Sequence, residues 1–152
     1  MQNSADWALI ESNIRDRVAK QGFMAHVGAL VEDLAPGSCT VSVTRRPELL
    51  QQLGFLHGGC IAFLVDNSTT IAAATMLRPG QAVLTAEFKL NFLAPARGDR
   101  VFARARVVKP GRTMTVAVAD VFSVEDGEEK LVATALATIS VVTMPAGAAG
   151  DD

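Results

Sequence analysis

Between Ala82 and Leu93 the side chains alternate with a period of two. Leu84, Ala86, Phe88, Leu90 and Phe92 fall on one side, and Val83, Thr85, Glu87, Lys89 and Asn91 on the other. That is the period of a strand with one covered face. Three more strand-like segments follow, over 101–108, 113–123 and 130–143. They are parted by Pro95 and Gly98, by Lys109-Pro110-Gly111-Arg112, and by the acidic turn Glu125-Asp126-Gly127-Glu128. Upstream, 38–45 alternates Cys39, Val41 and Val43 against Thr40, Ser42 and Thr44. Pro36-Gly37 joins it to a strand predicted over 26–34. Residues 46–55 read as a connector in which Pro47 opens a short turn.

Two segments follow a different rule. After Ser4, a residue suited to an N-cap, Trp7, Ile10, Ile14 and Val18 recur at spacings of three and four, and Gln21-Gly22 ends the run. From Cys60 to Leu77 the chain is mostly apolar, rich in Ala and Leu, and longer than a typical strand; Pro79-Gly80 terminates it. It reads as a buried helix. The order of elements predicts an α+β domain: a curved antiparallel sheet of about six strands wrapped around one long apolar helix, with a further helix at the N-terminus. Residues 1–144 form this single unit, with no internal repeat. The small, polar tail 145–152 is expected to be disordered.

Composition narrows the function. A net charge of −2 over 152 residues offers no general attraction for nucleic acid or an acidic membrane surface. With one Trp and no Tyr, a base-stacking platform has little to build on. Cys39 and Cys60 form no CxxC pair, and with His26 and His57 distant in sequence they supply no metal site. The first residues lack the basic and apolar regions of a signal peptide, and no apolar stretch is long enough to span a bilayer. The expectation is a cytoplasmic protein in a reducing compartment.

The chemistry concentrates on the apolar helix. Asp66-Asn67-Ser68-Thr69-Thr70 interrupts it with five polar residues. A buried carboxylate is costly unless paired or hydrogen-bonded. The bland alternative is that Asp66 caps a second helix after a break, yet no Gly or Pro marks such a break. At the front of the helix stand Gly58 and Gly59. The first amides of a helix lack partners and carry partial positive charge, and without a Cβ a substrate carbonyl oxygen can approach them. Such a donor stabilises an oxyanion, although a Gly-Gly pair serves equally for tight packing.

Leu56-His57-Gly58-Gly59, followed by Leu64-Val65-Asp66, resembles the HGG…D pattern of hot-dog-fold thioesterases. The similarity runs over roughly 27–139 and includes the stretches 88–95 and 109–112. It is greatest to the branch holding the phenylacetate-pathway enzymes and their eukaryotic acyl-CoA thioesterase relatives. The resemblance implies hydrolysis of acyl-CoA thioesters without a cofactor, in a homo-oligomer whose sites lie between subunits. It implies that the Gly58 amide polarises the thioester carbonyl and that Asp66 attacks it or activates water. Gln51 falls where the family places an Asn or Gln, with Asn the commoner in the phenylacetate-type branch. Thr70 and Thr85 match hydroxyl positions used by different branches.

His57 is expected to fix the loop entering the helix; its pairing with Cys60 or Ser68 as a nucleophile lacks a GxSxG elbow and an orienting third group. Gly59 and Phe63, with the small Ala72-Ala73-Ala74 run, are candidates for lining the substrate site. Six basic residues and one acid lie between Arg97 and Arg112. Of these, Arg97, Lys109 and Arg112 are candidates for the phosphates of coenzyme A, against the plainer reading of a solvated face. Two rival functions remain at this point: a hot-dog dehydratase or hydratase, which needs a His paired with an acid, and a non-catalytic acyl-CoA-binding domain.

Overall fold

A computed structural model describes residues 4–144; the predicted tail 145–152 lies outside them. The elements are α1 (Ser4–Ala19), α2 (Gly22–Val27), β1 (Leu30–Ala35), β2 (Ser38–Thr44), a 3-10 turn at Pro47–Leu49, α3 (Gly58–Ala74), β3 (Gln81–Phe92), β4 (Arg100–Lys109), β5 (Met114–Glu125) and β6 (Glu128–Thr143). All pairings are antiparallel, in one sheet of order β1-β2-β4-β5-β6-β3. This is the hot-dog arrangement: a sheet wrapped around α3.

Side-chain size explains how α3 sits so close to the sheet. The strands present buried Ala103 and Ala105, Ala117 and Ala119, and Ala133, Ala135 and Ala137 at their centre. Small side chains leave a hollow. Ile61, Leu64, Val65, Ile71 and Ala72 of α3 fill it, each almost without exposure. Burying one such aliphatic side chain contributes about 1.5–3 kcal/mol. The helix is unbroken through Asp66, so that residue caps no second helix.

Two expectations are corrected. The strand predicted over 26–34 begins only at Leu30, because Gly22–Val27 forms the short helix α2. Gly28 closes it in the left-handed region at φ 69°, its amide on the Ala25 carbonyl and the Ala29 amide on that of Met24. A left-handed residue after the last helical position is a standard helix stop, and glycine adopts it without strain. Gly22 therefore opens a second helix where the sequence suggested only the end of the first.

The alternation in β3 is also not continuous. Thr85 pairs with Ile139 but Glu87 pairs with Thr138, so Ala86 is an extra residue, a bulge. The bulge switches parity. Val83 and Thr85 face α3 together with Phe88 and Leu90, while Leu84 is 61% exposed. Hydropathy could not mark this, since Leu84 and Phe88 are both apolar. Substitution separates the two: Leu84→Lys should change the unfolding free energy by no more than about 0.5 kcal/mol, whereas Phe88→Lys should cost about 2 kcal/mol or more. Urea denaturation measures both, and equal costs would mean that the two residues share a face.

Candidate active site

The loop entering α3 is held in place from three sides. The Leu56 amide bonds the Ala96 carbonyl at 3.0 Å, the His57 amide the Leu49 carbonyl at 2.8 Å, and the Arg45 guanidinium the Gly54 carbonyl at 2.7 Å. His57 is the N-cap. Its Nδ1 accepts the Gly59 amide at 2.9 Å, and a Cβ on Gly59 would stand only 3.0 Å from that nitrogen. Gly59 is thus tied to its cap. The Gly58 amide, in contrast, has no acceptor among the described residues. Of the two glycines, Gly58 alone keeps a free donor at the positive end of the helix.

Gln51 belongs to the same end. Its amide bonds the Phe55 carbonyl at 3.0 Å and its side-chain Oε1 accepts the Leu53 amide at 2.8 Å, which leaves its NH2 group to donate outward. Phe92, placed by its sequence on a strand face but not at the site, packs against Gly58, its ring atoms 3.4 Å from where a Cβ would be. Arg45 was likewise invisible, because its partner is a backbone carbonyl that only the folded loop presents.

Asp66 sits two turns along α3, half-buried. The Thr85 hydroxyl donates to its Oδ1 at 2.5 Å, and Thr70 Oγ1 lies 2.9 Å from Thr85 Oγ1. Thr85 has a single proton, so once that proton goes to Asp66, Thr70 must donate to Thr85. The two threonines are therefore consecutive members of one chain of hydroxyls ending at the carboxylate. This holds one carboxylate oxygen and leaves Oδ2 free among the described residues. The β3 bulge brings Thr85 to this face. Gly58 and Asp66 are eight residues apart, about 12 Å along the axis at 1.5 Å per residue, so one chain does not bring them together.

An unpartnered helix amide and a positioned carboxylate are the parts needed for attack on an acyl carbon. The sequence profile of the Thioesterase superfamily matches residues 53–130, from the loop before α3 into β6. The chain belongs to the thioesterase superfamily. It is 27% identical over 120 residues to a 1,4-dihydroxy-2-naphthoyl-CoA hydrolase of Listeria monocytogenes, covering 79% of this chain and 95% of that one. It is 31% identical over 95 residues to human acyl-coenzyme A thioesterase 13, covering 62% of this chain and 67% of that one. Among solved structures, a thioesterase family protein from Silicibacter pomeroyi superposes with a TM-score of 0.86 at 42% identity, covering 88% of this chain and 98% of that one. The chain is a thioester hydrolase.

Other candidates of this thioesterase-superfamily chain fall elsewhere. Phe63 is 9% exposed and meets Phe23 of α2 edge-on, with ring centroids 5.0 Å apart, so it belongs to the core. Arg97, Lys109 and Arg112 are exposed but do not form one patch. Arg97 precedes β4, with its guanidinium 5.2 Å from the Phe55 ring centroid, whereas Lys109 and Arg112 lie beyond the opposite end of that strand. At 3.3 Å per residue the two ends are about 30 Å apart. Arg100 and Arg104, between them, are spent on Glu32 and Glu129. The His57–Cys60 pairing fails because His57 Nδ1 holds the Gly59 amide. Nor does His57 meet a carboxylate among the described residues, as the acid–base pair of a dehydratase would require. Ser68 is fully buried with its hydroxyl on the Val65 carbonyl.

Burial pushes the Cys60 thiol from 9.0 up to about 11, and Cys39 up to about 12. Both stay protonated in the folded state. Neither should react with a disulfide reagent at pH 8 until the protein is unfolded, when both should. The sign of the pH dependence follows. Above pH 9 the unfolded thiols lose protons that the folded ones keep, so stability should fall from there towards pH 11. Rapid labelling of either cysteine in the native protein would contradict this.

Proposed function

We propose that the chain hydrolyses acyl-CoA thioesters to free acid and coenzyme A, at sites assembled from two copies of itself. The observation that carries the reading is the complementary state of two groups on α3: a free amide at Gly58 and a carboxylate at Asp66 with one oxygen held and one free. In a paired site the Gly58 amide of one chain donates to the thioester carbonyl oxygen, where negative charge develops. Asp66 of the other chain either attacks the carbonyl carbon or takes a proton from the water that does. The carbon–sulfur bond then breaks. In the first route a mixed anhydride remains on Asp66 until water hydrolyses it to the free acid and the carboxylate, and the departing sulfur takes a proton from solvent. In the second the proton taken from water passes from Asp66 to the sulfur. In both, coenzyme A leaves as the thiol. Neither route requires a metal or a redox cofactor.

The remaining groups take supporting roles. The outward NH2 of Gln51 holds the carbonyl oxygen or the water. His57, through its cap on Gly59, keeps the first turn of α3 in position. Thr70 and Thr85 orient Asp66. Arg97 stands at the Gly58 end of its own chain, and an antiparallel pair of α3 helices turns the Lys109 and Arg112 end of one chain towards the Gly58 end of the other. Those three cations then reach the phosphates of coenzyme A from two chains. The 12-residue edge of β3 facing away from β6 supports such pairing, since strand-to-strand addition there extends the sheet and sets the helices side by side.

Asp66→Asn is the direct test. The replacement is nearly isosteric, keeps an acceptor for the Thr85 hydroxyl and buries no charge. It should lower kcat on acyl-CoA by about a hundredfold or more while leaving the thermal midpoint nearly unchanged. Release of free thiol reports turnover, and an Asp66→Asn protein of near-normal kcat would remove the carboxylate from the mechanism.

A further inference from the structure

Beside the Asp66–Thr85–Thr70 chain opens a trough of about 790 Å³, between α1 and the C-terminal half of α3. Leu9 and Ile10 form one wall, Ile71 and Ala74 the other, and Ala82 and Val83 of β3 close the side. The trough exists because α1 packs on α2 and β1 rather than closely on α3. Thr70 lines it as well, and the same hydroxyl is bonded towards Asp66. The reacting carboxylate and the trough therefore share a boundary residue.

Its chemistry is that of a lipid-like chain. The walls are mostly aliphatic, with the polar side chains of Asn13, Gln21, Thr70 and Gln81 among them, while the charged groups that border it, Asp6, Arg17 and Arg78, are exposed side chains. Leu9 lines this space and is 64% exposed. From Thr70 to Ala74, the last residue of α3, four residues of helix rise span about 6 Å, and Leu77 just beyond also borders the trough, so the space runs lengthwise away from Asp66. Its volume lies in the range of small-molecule sites, about 300–1,000 Å³.

We infer that this trough receives the acyl chain of the thioester and that α1 sets a preference for extended aliphatic chains over acetyl-sized groups. The inference rests on the acyl-CoA reading above and specifies the substrate class within it. With its carbonyl beside Asp66, the chain passes Thr70 and lies between Leu9 and Ala74. Each methylene that leaves water there tightens binding about fourfold.

The experiment is a series of straight-chain acyl-CoAs from acetyl to dodecanoyl, followed by thiol release. KM should fall by up to about fourfold per methylene until the trough is full, then level off. Ala74→Phe fills the trough from α3. It should lower the ratio of kcat/KM for octanoyl-CoA to that for acetyl-CoA about tenfold or more. Leu9→Glu, on an exposed position of the opposite wall where folding is not at stake, should lower the same ratio. Should Ala74→Phe fail to fold, Leu9→Glu decides alone. A KM independent of chain length, or a ratio unmoved in the variants, overturns the trough as the acyl site while leaving acyl-CoA hydrolysis standing. Absence of turnover on every acyl-CoA in the series would overturn both.

Discussion

The free amide of Gly58 and the carboxylate of Asp66 are carried by one straight helix, and the helix fixes their separation at about 12 Å. A thioester carbonyl presents its carbon and oxygen within little more than an ångström of each other. Donor and attacking group must converge to about 3 Å from those two atoms. In the proposed mechanism the same rigidity that positions each group within the chain prevents one chain from using both. Antiparallel apposition of two such helices removes the conflict, because the first turn of one then lies beside the middle of the other. The unpaired edge of β3 offers the surface for it.

Everything around α3 serves to hold that geometry. Alanines on the inner face of the sheet let the helix settle against five strands, β2 to β6, and its own aliphatic residues fill the space. The loop before it is bonded to Ala96, Leu49 and Arg45, and His57 caps Gly59, so that of the two glycine amides that of Gly58 is left free among the described residues. On the far side, a single inserted residue in β3 turns Thr85 inward to hold Asp66. The N-terminal helix leaves a gap rather than filling it, and the gap begins at Thr70.

The parts of this that were legible in the sequence are those written in residue type. An apolar run too long for a strand, glycines at its start and a lone acid within it give α3, its amide end and its carboxylate. The HGG…D spacing adds the family. What was not legible depends on backbone geometry. The β3 bulge replaces one apolar residue by another on each face, so the alternation conceals it. Helix α2 hangs on the left-handed conformation of Gly28, which sequence alone does not distinguish from a turn between strands. Arg97, Lys109 and Arg112 are close in number, yet the intervening strand carries them to opposite ends. Which glycine keeps a free amide depends on where the His57 ring turns.

The proposed site draws its amide from one chain and its carboxylate from another, and mixing two crippled chains tests this most directly. One carries Gln51→Ala with Gly58→Pro and is defective at the amide end; the other carries Asp66→Ala. Each alone is inactive. After random exchange about half of the two-fold dimers are mixed, each with one intact site and one doubly defective site, so activity should return to about a quarter of the wild-type level. Recovery of that size, with mixed dimers verified by mass spectrometry, is the predicted result. Mixed dimers that form, with both chains folded, but stay inactive would show that each site is built within a single chain.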